Sequence, residues 1–207
     1  MPRTYGLGLL RVISGILLGI GTAGCAGWSL GPGWSLGSDS KLSSGDRRLL
    51  DVPFFPDKTD QCGPSALASV LSFWGRAVDP AVLANEVIND KLNGSLSMNL
   101  LMAAQDRGFK AYLYNGSLED LKFELSKGHP VVAFVSGGVE FTPIGHYVVV
   151  CGFDDARRGL YIHSGSSKNE FVRYKSFERD WEKMRRLTLL ILPPGHASES
   201  PHVHEAP

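Results

Sequence analysis

The 207-residue chain lacks a charge excess of either sign: 21 Lys and Arg stand against 21 Asp and Glu. It therefore carries no electrostatic footprint for a nucleic acid partner. Cysteine is scarce, with three in the chain, and neither these nor the six histidines have a spacing suited to zinc. No Gly-rich motif of the phosphate-cradling kind is present. The expectation is a chain without a metal or cofactor. What the sequence does hold is an N-terminal address, one domain-sized stretch of alternating helix and strand patterns, and one cysteine and one histidine in unusual local contexts.

The address comes first. Arg3 and Arg11 flank the start of a short apolar segment, Val12–Ile20, and small residues follow up to Ala23-Gly24-Cys25. This is a signal-peptide layout, too short for a spanning helix. Ala23-Gly24-Cys25 resembles the lipobox of bacterial lipoproteins, although Thr22 stands where that motif prefers Leu. The resemblance implies that Cys25 is lipidated and becomes the mature N-terminus. The absence of Asp after Cys25 then implies outer-membrane sorting, facing the periplasm of a bacterial cell envelope; simple secretion or a periplasmic location is the alternative. Residues 26–48 read as a flexible tether, in which Gly27-Trp28-Ser29-Leu30-Gly31 recurs as Gly33-Trp34-Ser35-Leu36-Gly37. Residues 49–193 read as the folded domain. Residues 194–207 read as a disordered tail, with His196, His202 and His204 solvated.

Within the domain, Gln61-Cys62-Gly63-Pro64 precedes a run with helical spacing. Leu67, Val70, Leu71 and Trp74 share one face, Pro64 suits the first turn, and Gly75 is a stop signal. A thiol at a helix start meets unpaired N–H groups and the positive end of the dipole, which favour the thiolate. Cys62 is thus a candidate nucleophile; the plainer reading is a small buried hydrophobe. Gly63 would let a substrate backbone approach. Far downstream, Gly145-His146 opens the apolar run Tyr147–Cys151, which reads as a strand buried on both faces, with His146 at the sheet edge as a candidate base. His129, before Pro130, reads as structural, and Cys151, among valines, as core.

The blocks Asp51-Val52-Pro53-Phe54-Phe55-Pro56, Gln61–Ala68, Gly145–Val150 and Gly152-Phe153-Asp154 resemble the papain-like bacteriocin-processing cysteine peptidases, which cut after double-glycine leaders; the similarity is closer to their stand-alone exported relatives. The resemblance spans roughly residues 50–193, an ordinary size for one domain. It implies Cys62 as nucleophile and His146 as general base. The Asp or Asn that orients the imidazole in many relatives falls here near Ser164, a hydroxyl without a carboxylate's charge. The upstream Gln that helps hold the oxyanion falls on Pro56-Asp57-Lys58, so Gln61 and backbone N–H groups at the helix start are the candidate substitutes. A transporter ATPase motif is not found, so an export machine is not expected. The expected partner is a peptide or protein substrate, with the membrane through a lipid anchor and a secretion or envelope partner. The rival readings are an inactive peptide-binding module and a thiol acyltransferase or amidase.

The remaining pattern predicts an α+β, papain-like order, N-terminal helices packed on a C-terminal antiparallel sheet. Helices are expected after the Asp79 cap (with Leu83, Val87 and Ile88 on its face), around Met98, Leu101 and Met102, over Ser117–Lys127 and over Phe177–Met184. Strands are expected at Ala111–Tyr114, Pro130–Val135, His146–Phe153, Leu160–His163, Phe171–Tyr174 and Leu187–Leu192. The Gly-rich segment 136–143 reads as a hairpin connection, and Trp74 and Trp181 as core.

Overall fold

The structure, a computed structural model, describes residues 46–57, 61–89, 91, 94–137, 144–196 and 198. The signal segment, the lipobox Cys25, most of the tether and most of the tail lie outside the described residues, as does most of the Gly-rich connection.

Three helices come first: α1 (Cys62–Phe73), α2 (Pro80–Val87) and α3 (Ser97–Gln105). Gln61 occupies the N-cap position of α1 without a side-chain cap bond, and Gly75 leaves the helix at φ +81. The helix is buried from Cys62 through Leu71 on every side, not along a stripe. Ser69 stays satisfied there by bonding back to Ser65 O at 2.9 Å. Asp79 caps α2 by accepting from Ala81 N at 2.8 Å. Ile88 does not continue that helix; it enters β2 (Ile88–Asn89), which pairs with β3 (Gly94–Ser95).

The helix expected around Met98, Leu101 and Met102 is α3, and its methionines point outward. Met98 and Met102 are 52% and 53% exposed, while Leu100, Leu101, Ala103 and Ala104 face the core. Both faces of this helix carry apolar residues, so periodicity alone could not say which is inside.

The sheet then forms in the order β4-β9-β5-β6-β7-β8, all antiparallel, from β4 (Lys110–Asn115), β5 (Val131–Ser136), β6 (Gly145–Asp154), β7 (Gly159–Ser164), β8 (Ser167–Arg173) and β9 (Leu187–Leu192). A seventh strand, β1 (Arg47–Leu49), extends the β5 edge of β6 by pairing Leu49 with Gly152. Its first two residues, Arg47 and Arg48, lie in the stretch read as tether, because the strand is exposed and carries no apolar alternation. Two more helices pack on the sheet. The first is α4 (Leu118–Ser126), with the Ser117–Asp120 capping box formed in full; the second is α5 (Tyr174–Glu182). Tyr174, expected at a strand end, instead opens α5. β8 starts four residues earlier than expected, because Ser167–Glu170 form an edge with polar residues that give no hydrophobic signal.

The core joins α1 to β6, which is buried from Tyr147 to Asp154. Trp181 donates to Leu187 O at 3.2 Å and Trp74 to Ile191 O at 2.9 Å, so both indoles serve packing. At the end of the sheet, Ser198 donates a short hydrogen bond to the buried Glu124, which also pairs with His129 Nδ1 at 2.7 Å. His196 is exposed and its ring lies 6.0 Å from that of Trp74. These described positions of the tail are therefore in contact with the domain.

Candidate active site

Cys62 is the first residue of α1, and its side chain lies against the start of β6. The backbone N–H of Tyr147 points at the sulfur, joined by those of Gly63 and Cys62 itself. These three donors favour a thiolate. Burial outweighs them, however, and with the negative charge of Asp57 it pushes the Cys62 thiol up, not down. The helix-start argument identified real donors but omitted desolvation, which disfavours any charged form in a buried site.

Gly63 is required for a reason other than substrate access. A Cβ there would stand 2.9 Å from Ser95 Cβ, so the glycine lets β3 close over the helix start. Ser95 and Ser97 then hold Tyr147: its hydroxyl donates to Ser95 O at 3.1 Å and accepts from Ser97 Oγ at 2.7 Å. Burial raises the Tyr147 pKa to about 12, so the phenol stays protonated in this pairing.

His146 is half-buried at the second position of β6 and pairs across the ladder with Val135. Gly145 precedes it because Phe134 covers that backbone: an added Cβ would meet the Phe134 ring at 2.0 Å. The imidazole Nε2 lies 3.1 Å from Ser164 Oγ. A β-bulge sets this meeting. Val149 pairs with His163 and Val150 with Ile162, yet Gly152 pairs with Tyr161, leaving Cys151 as the extra residue. In that register Ser164 and His146 share a face one diagonal step apart; a slip of one residue would send Ser164 to the other face. Burial lowers the His146 pKa, and the negative charge of Asp57 opposes that shift.

The cleft at Cys62 is lined by Phe54, Phe55, Asp57, Tyr147, Ser164 and the neutral His163, among others. Gln61 is exposed and is not among the lining residues. Asp57 is the residue that sequence reasoning set aside. Its N–H donates to Gly165 O at 3.0 Å, which ties the segment before α1 to the β7–β8 turn. That tie spans the whole domain in sequence, and no local pattern announces it.

His163 is buried and neutral. Nε2–H donates to Val52 O at 3.0 Å and Nδ1 accepts from Asn169 N at 3.2 Å, which fixes the tautomer. Cys151 beside it is fully buried, donates to Tyr161 O at 3.2 Å, and has its pKa raised to about 12 by burial. It is an inert thiol. Asp154 and Asp155 are engaged at the far end of β6, with Arg157 N and with Lys122 and Tyr174. Among the described residues no group of three or more His, Cys, Asp or Glu could hold a metal ion.

A helix-start thiol packed on an antiparallel sheet whose edge carries an imidazole is the arrangement of papain-like hydrolases of the cysteine-peptidase type. The description of the Peptidase_C39 like family matches residues 49–189, and the chain belongs to that family. The fold is similar to a C39-like peptidase from Bacillus anthracis, at 21% identity and TM-score 0.58, covering 73% of this chain and 100% of the other. It is also similar to the peptidase domain of Streptococcus ComA, a bifunctional ABC transporter of a quorum-sensing pathway, at 23% identity and TM-score 0.56, covering 70% and 98%. A double-glycine-motif protease from an AMS/PCAT transporter, solved with its leader peptide, matches at 22% identity and TM-score 0.56, covering 70% and 94%. Among curated proteins, none matches the chain.

Proposed function

We propose that this protein is an exported cysteine peptidase, held at the cell envelope by lipidation of Cys25, that hydrolyses peptide bonds with Cys62 as nucleophile and His146 as general base. The observation that carries the reading is the bond between His146 Nε2 and Ser164 Oγ, with the Cys62 thiol set at the start of the same strand. When Nε2–H donates to Ser164, Nδ1 keeps its lone pair and can take the thiol proton. Sulfur then attacks the peptide carbonyl, imidazolium returns the proton to the leaving amine, and water hydrolyses the thioester by the same base. N–H groups at the start of α1 face the developing oxyanion, with Gln61 as a further donor should its side chain turn inward. Because thiol and imidazole are both held neutral, the proton moves during attack and not before it.

A peptide substrate is also supported by Leu96, which is 47% exposed between Ser95 and Ser97 and continues outward to Met98 and Met102. This gives apolar surface next to the cleft for a bound chain. The structural relative captured with its leader peptide makes sequences ending in Gly-Gly the first substrates to try. Hydrolysis by the full chain and its loss in Cys62→Ala test the reading; turnover that persists in Cys62→Ala refutes it.

The raised thiol pKa and the missing carboxylate at Ser164 favour one alternative, a peptide-binding module without turnover. That reading expects equal peptide affinity in wild type and Cys62→Ala, and no hydrolysis in either.

A further inference from the structure

The charge inside the cleft does not fit a neutral substrate. Of the groups that act on one another there, His146 and His163 are held toward the neutral imidazole, and Cys62 and Tyr147 toward their protonated forms. Among the described residues that line the cleft, Asp57 is the one Asp, Glu, Lys or Arg. Its backbone is pinned to Gly165, and its Oδ1 lies 3.8 Å from where a Gly165 Cβ would stand, so the carboxylate lies beside the β7–β8 turn in the wall of the cleft. The nearest ion pair outside, Lys168 with Asp51 at 3.7 Å, lies beside His163, and both its members are exposed. Phe54 and Phe55 line the same cleft, and aromatic rings attract cations.

A carboxylate beside a nucleophilic sulfur opposes the thiolate and the oxyanion that follows it, and while His146 is neutral no cationic side chain among the described lining residues offsets it. A cation placed on that carboxylate removes the opposition and restores what burial costs the Asp57 anion. We infer that the cleft takes peptides with a basic side chain beside the scissile bond, with Asp57 as the group that pairs with it. Substrate charge thereby does two things: it binds, and it lowers the cost of the negative charge that Cys62 and the oxyanion develop during attack. Anionic chains are excluded by the same group. This inference rests on Cys62 and His146 acting as proposed above.

The test needs no known substrate. In the full-length protein, Cys62 is modified with two methanethiosulfonates of like size, one bearing trimethylammonium and one bearing sulfonate, and the labelled peptide is identified by mass. In each case the thiolate attacks the reagent sulfur, a disulfide forms, and methanesulfinate leaves. The cationic reagent is expected to react faster by about tenfold or more, as one nearby unit charge dictates. That ratio should fall toward one in Asp57→Asn and persist in Asp57→Glu, which keeps the charge. A ratio near one in the wild type, or an unchanged ratio in Asp57→Asn, overturns the inference. His146→Ala separates the two layers: if it leaves Cys62 labelling as fast as before, the peptidase reading itself fails, whatever the charge ratio.

Discussion

At the residue scale, the thiol and the imidazole were legible because each sits in a short local context, a helix start and a strand start. Asp57 was not, because its place depends on a backbone bond to Gly165 that closes over a hundred intervening residues. The direction of the thiol pKa was misjudged for a related reason: helix-start donors can be read from sequence, burial cannot. Two outcomes follow. With Cys62 raised and His146 lowered, no ion pair exists in advance. Alkylation of Cys62 should therefore rise as His146 loses its proton, stay level while the neutral imidazole takes the thiol proton, and climb again only beyond the ordinary thiol range; in His146→Ala the last climb alone should remain, whereas a pre-formed pair would place the first rise well down in the acid range. A stopped-flow or mass-resolved pH–rate profile reads this directly. Replacing Ser164 by Ala should lower kcat/KM by about tenfold through loss of ring orientation, and Ser164→Asp should raise the His146 pKa, visible as a shift of its imidazole NMR titration toward higher pH.

At the element scale, most helices and strands followed from apolar spacing, caps and glycine stops. The failures share a cause. β1 and the first half of β8 lie on edges, with side chains that are exposed or half-buried and carry no apolar alternation. None of these leaves a one-sided pattern to read. Gly145→Ala should destabilise by about 1–3 kcal/mol, because its methyl would have to displace the Phe134 ring that covers the entry to His146. Urea denaturation measures it, and the double change with Phe134→Ala should cost less than the sum of the two. His163 gives the β7–β8 end a pH dependence. Its folded pKa is lowered, so the unfolded chain binds the extra proton first. The stability it contributes is full above the unfolded value of about 6.5 and is lost as pH falls through and below it. Tm should fall across that window, and by less in His163→Gln.

At the scale of the whole molecule, the equal numbers of basic and acidic residues give no electrostatic footprint for a nucleic acid. No helix among the described residues is long and apolar enough to cross a membrane. The proposed lipidation of Cys25 has its own test: Cys25→Ser should move the protein from the membrane fraction to the soluble one, as fractionation of cells would show, and an unchanged distribution would refute the anchor. The contact of Ser198 with Glu124 indicates that a described part of the tail stays with the domain. The central claim, that Cys62 and His146 work as one catalytic pair, is tested most directly by the rate at which iodoacetamide labels Cys62 at neutral pH in the full-length protein and in His146→Ala. A drop of about a hundredfold without the imidazole is expected of a general base. Equal rates would contradict the account and leave Cys62 as an ordinary buried thiol.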